Sequence, residues 1–112
     1  SAKIYLGQVL GIQSKTEKAK SVLLESLETA QLLSYAQGIL SAVVRFAEIL
    51  ARENNPDAKQ LAALVYHHPH SEPDDRNLAE KLAQGTTTTL TLEEAVSQLL
   101  QMSEPLATLK DK

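Results

Sequence analysis

The chain has 112 residues, enough for one small domain, with 43% apolar residues, 4% aromatic residues, no Trp and a net charge of −3. The absence of Cys excludes disulfides, thiolate zinc sites and cysteine nucleophiles. No Lys/Arg stripe follows one helix face, which argues against direct nucleic-acid binding, and no apolar run reaches the roughly 20 residues a bilayer span needs. With no signal-peptide pattern either, a cytoplasmic location is expected. The opening Ser1-Ala2, without an initiator Met, suggests a fragment of a larger protein.

Ala, Leu, Glu, Gln and Lys dominate nearly every segment, so the expected class is all-α. A first helix is expected from about Ala2 to Gln13, carrying Ile4, Leu6, Val9, Leu10 and Ile12. Gly7 and Gly11 cost it about 1 kcal/mol each relative to Ala, a cost that close approach of a neighbouring helix would justify. Ser14-Lys15-Thr16-Glu17 reads as a capping box opening a second helix to about Leu33, with Ala19, Val22, Leu23, Leu27 and Ala30 on one side. The Lys15, Lys18 and Lys20 run is interrupted by Glu17 and reads as a solvated face, with a patch for acidic partners as the alternative.

From Tyr35 to Glu53 apolar residues cover more than half of the surface, marking the central helix. A strand at Ala42-Val43-Val44 is the other option, disfavoured by its flanks and length. Asn55 can cap a fourth helix with Pro56 at its first position, running to about Tyr66. His67-His68-Pro69-His70 stops it, Ser71-Glu72-Pro73-Asp74 begins a fifth helix, and Gly85 ends that one. Thr86 to Thr89 should be extended. Thr91-Leu92-Glu93-Glu94 is a second capping box, opening a sixth helix with Ala95, Val96, Leu99 and Leu100. Residues 1–102 are thus expected to form one helical repeat domain, and 103–112 a frayed tail.

A weak internal echo has a period of about 40 residues, against 34 for a tetratricopeptide repeat. Leu6-Gly7, Leu10, Ala19 and Leu23 are repeated by Phe46-Ala47, Leu50, Ala58 and Ala62. These residues resemble the tetratricopeptide helix pair, whose first helix carries a large-then-small step and whose second carries an Ala against which it packs. The resemblance implies antiparallel pairs stacked as a short solenoid of about six helices, with Leu6, Gly7, Leu10, Ala19, Leu23, Ala47 and Ala58 at the packing positions. It departs from the family in lacking the terminal Pro and in placing Ser26 where a second Ala is usual. Leu61 to Ser71, the helix with Arg76, Ala79 and Leu82, and Leu90 to Val96 together are similar to the C-terminal ends of bacterial multidomain signalling ATPases and MalT-like transcriptional regulators. That likeness implies an interaction or sensor module without a cofactor.

No nucleophile elbow, phosphate-cradling Gly-rich loop or flanked carboxylate pair is present, so catalysis is not expected. His67, His68 and His70 could attract a metal, but adjacent histidines broken by Pro69 converge poorly, and a helix C-terminus favouring His explains them as well. Ser41, Arg45, Glu48 and Arg52 share one polar face of the third helix. If first helices line a groove, as the resemblance implies, Tyr5 and Gln8 would be their neighbours. The alternative is a solvated stripe with Arg45 paired to Glu48. A protein or peptide partner is expected. A small-molecule effector is one alternative, and homodimerisation through an exposed repeat edge carrying Ile4, Val9 and Ile12 is the other.

Overall fold

The structure is a computed structural model that describes the backbone of residues 2–102 and the side chains of residues 15–102. The expected tail at 103–112, with Leu106 and Leu109, lies outside the described residues, as do the side chains of Ile4, Tyr5, Leu6, Gln8, Val9, Leu10 and Ile12. Among the described residues the chain is all-α, with five helices and no strand: α1 (Ala2–Leu32), α2 (Ala36–Arg52), α3 (Asp57–His67), α4 (Pro73–Ala83) and α5 (Leu92–Gln101).

The expected break at Ser14 is absent, because α1 runs unbroken through it. A capping box needs the chain to leave helical geometry at the cap, and between Gly11 and Gly38 there is no Gly or Pro to make it do so. Glu17 instead lies 3.7 Å from Lys20, one turn on. Gly7 and Ala19 therefore occupy one helix, separated by twelve residues or about 18 Å of rise, and cannot interlock as a helix pair. Among the described residues the six expected helices are five, and the first pair of the expected repeat is not formed.

The remaining turns follow local chemistry. Three helices end in a left-handed residue other than glycine: Ser34 (φ 52°) after α1, Asn54 (φ 59°) after α2 and Gln84 (φ 50°) after α4. After α1 the Tyr35 amide donates to the Ala30 carbonyl and the Ser34 amide to Gln31; after α2, Asn55 donates to Leu50 and Asn54 to Ala51. The ends of α1 and α2 are complete Schellman motifs, which satisfy carbonyls the helix leaves open. Asn55 then starts α3, its side-chain oxygen accepting from the Asp57 amide at 2.9 Å. The capping box at Thr91 forms as the sequence requires: Thr91 Oγ1 accepts from the Glu94 amide at 3.1 Å, and Glu94 Oε1 from the Thr91 amide at 3.0 Å.

Tertiary packing centres on α2, which meets α1, α3, α4 and α5. Its Leu40, Val43, Val44, Phe46, Ala47 and Leu50 are buried, and a helix apolar on most of its surface has to be covered on most sides. The Ala42-Val43-Val44 run is helical and buried. From α3 come Ala58, Leu61, Ala62 and Val65, and from α5 come Ala95, Val96 and Leu99. Ala47 and Ala58 thus sit in the common core, whereas Leu23 is only partly buried against it. α1 contributes Leu27 and Ala30.

The close approach of α1 and α2 is at Gly38. A β-carbon there would stand 3.2 Å from the Ala30 Cβ and 2.7 Å from Cδ2 of Tyr35. At the opposite end, Lys20 of α1 reaches Glu53, just after α2, at 2.8 Å. Since these two links join late α1 to early α2 and earlier α1 to the end of α2, the pair is antiparallel.

A furrow between the first two helices

α1 and α2 bury only one side of their contact. The other side is a furrow that follows α1 from Lys15 to Leu33, about 27 Å at helical rise. Its middle section, of about 550 Å³, has Ala19, Val22, Leu23 and Ile49 as a floor and Lys15, Lys18, Arg45 and Arg52 along its edges. Towards the α1–α2 turn it continues past Ser26, Thr29, Leu33, Tyr35 and Ser41, and towards the far end it opens beside Thr16, Glu17 and Glu53.

The apolar floor is not sealed. Val22 is 53% exposed, Leu33 70% and Tyr35 51%. This follows from the spacing on α1, where Leu27 and Ala30 take the core side and Ala19, Val22, Ser26, Thr29 and Leu33 fall on the furrow side at steps of three and four. One continuous helix therefore carries apolar residues on two faces, and only one face is covered.

Ser41, Arg45, Glu48 and Arg52 all line this furrow, on the wall formed by α2. Tyr5 and Gln8 lie on the part of α1 whose side chains are outside the described residues. The expected Arg45–Glu48 pair does not form. Glu48 lies 3.8 Å from Arg52 instead, one turn on, at the i, i+4 spacing that suits opposite charges. Glu17 and Glu53 both approach Lys20, leaving Lys15, Lys18 and Arg45 without an ion pair among the described residues. The opposing wall, from Lys15 to Leu33 on α1, was not assigned to a binding surface by sequence reasoning, which placed the partner wall at Tyr5 and Gln8. The signal for it was present in the stepwise recurrence of Ala19, Val22 and Leu33 beside, rather than on, the Leu27 and Ala30 stripe.

The histidines do another job. The His70 amide donates to Nδ1 of His68 at 3.2 Å, and Tyr66 and His67 rings meet edge-on. Burial, and then the charge of His70, lower the His68 pKa below its ordinary value, in keeping with a ring whose Nδ1 is an acceptor. Ser71 donates to the Val65 carbonyl at 2.6 Å, and Arg76 Nη2 donates to the carbonyls of His68 and Ser71, each at 3.2 Å. The segment is a stapled helix–helix corner. Among the described residues no three His, Cys, Asp or Glu side chains are grouped so as to hold a metal ion, and no described helix is long and apolar enough to cross a membrane. Compared with protein-family models, with curated proteins and with solved structures, the chain matches none.

Proposed function

We propose that the chain is a non-catalytic interaction module that holds a segment of a protein or peptide partner in the α1/α2 furrow. The observation that carries this reading is the furrow's exposed apolar floor, Val22 with Leu33 and Tyr35, beside the polar wall of Ser41, Arg45 and Arg52. Exposed apolar residues gathered along one furrow and rimmed by polar groups are the usual mark of a surface that is covered by something else.

The setting in a bacterial signalling ATPase or transcriptional regulator is part of the proposal and rests on the likeness of Leu61 to Ser71 and Leu90 to Val96. A repeat-type stack is supported by each helix from α1 to α3 packing on its successor. The uninterrupted α1 removes the first helix pair from that support, and the contacts of α2 with α4 and α5 favour a bundle around α2. Leu32, 87% exposed beside Leu33, favours a second reading, in which the same end of the furrow joins two copies.

Amide chemical-shift mapping with amphipathic 18-residue peptides tests the first reading. Peptides should perturb Val22, Leu33 and Ser41, and Val22→Asp should abolish the effect while leaving the fold intact. A failure of every peptide to move these amides would refute the reading. A concentration-dependent dimer that Val22→Asp dissociates would establish the second reading in its place.

A further inference from the structure

We infer that the occupant of the furrow is an amphipathic helix whose apolar stripe is flanked by Asp and Glu, an inference that rests on the interaction reading above. Four carboxylates line the furrow, but three are engaged: Glu17 and Glu53 by Lys20, and Glu48 by Arg52. What remains is Lys15 and Lys18 on one wall and Arg45 on the other, with Glu25 near the Tyr35 end. These cations border the apolar floor of the middle section in a chain whose net charge is −3, so the local sign is opposite to that of the whole molecule. A partner with acidic flanks is drawn to this strip, and one with basic flanks meets Lys15, Lys18 and Arg45, which have no ion pair among the described residues.

The backbone form of the occupant follows from what the furrow does not offer. Both walls are helices whose main-chain groups bond within themselves, and no strand occurs among the described residues, so an extended segment has no edge to pair with. Laid on an apolar floor it would leave the amides and carbonyls turned to that floor without partners, whereas a helix satisfies them internally. The floor also has helical spacing, with Ala19, Val22, Leu23 and Leu33 recurring on one side of α1. A helix of about 18 residues matches the furrow's 27 Å.

The test uses the whole chain and two labelled 18-residue helical peptides with identical Leu and Ile stripes, one flanked by Glu and one by Lys, read by fluorescence anisotropy. The Glu-flanked peptide should bind at least about tenfold more tightly than the Lys-flanked one, and added salt should narrow the gap. The double variant Lys18→Glu/Arg45→Glu, both exposed side chains, should invert the preference while circular dichroism stays unchanged. Equal binding of both peptides, or a preference for Lys flanks, would overturn the acidic partner and leave the interaction reading standing. No binding of either would overturn both. Sedimentation showing that a second copy already fills the furrow would overturn the acidic helix as its occupant.

Discussion

Replacing Gly38 by Leu is expected to cost about 1–3 kcal/mol in chemical denaturation, as overpacking of a tight contact does. A β-carbon already crowds Ala30 and Tyr35 there, and a longer side chain would have to part α1 from α2. An unchanged midpoint would mean that the two helices are not held together at this point. Ser34 presents the opposite case. It holds a left-handed conformation that a β-carbon disfavours, so Ser34→Gly should raise stability by about 0.5–1 kcal/mol, seen as a higher urea midpoint at constant slope. At this scale the chemistry written into neighbouring residues was legible: the Thr91 box forms with both of its bonds because partners three residues apart carry their own geometry. Gly38 was not singled out, since a glycine's role as a spacer depends on what stands opposite, here Ala30, and local sequence does not supply that.

Among the helices, α1 separates local signals from structural outcome. Ser14-Lys15-Thr16-Glu17 has the residues of a cap, yet the same four residues are tolerated inside a helix at a few tenths of a kcal/mol each, and propagation costs less than a break followed by a new nucleus. Spin labels at Gly7 and Ala19 should accordingly report a backbone separation of about 18 Å with a narrow distribution. A separation below about 10 Å would restore the helix pair and discard the single rod. The boundaries at Asn54, Asn55 and the His67–Ser71 corner were predictable because Pro56, Pro69 and Pro73 forbid continuation there, whereas nothing between Gly11 and Gly38 does.

Across the molecule, composition and periodicity were enough to establish the helical class and to place α2 at the centre, since its apolar residues exceed one face. The polar wall of Ser41, Arg45, Glu48 and Arg52 was also legible, as residues on one helix share a face by spacing alone. Its partner wall was not, because which face of α1 stays uncovered depends on where α3, α4 and α5 lie. Burial is concentrated on α2 and α3, so native-state hydrogen exchange should find the amides of Val43, Val44 and Ala47 opening only with global unfolding. The α5 amides should open at lower free energy, since that short helix buries only Ala95, Val96 and Leu99 fully, with Leu92 and Leu100 partly buried beside them. Equal opening energies would make the five helices one cooperative unit.

The absence of a joint at Ser14 also determines how force travels. A helical hairpin would absorb a pull on its leading arm in the connecting loop, but here the early turns near Gly7 and the wall bearing Val22 belong to one stiff shaft. A displacement of the leading turns would therefore be carried along the rod to the wall that bears Val22, with no loop between them to take it up.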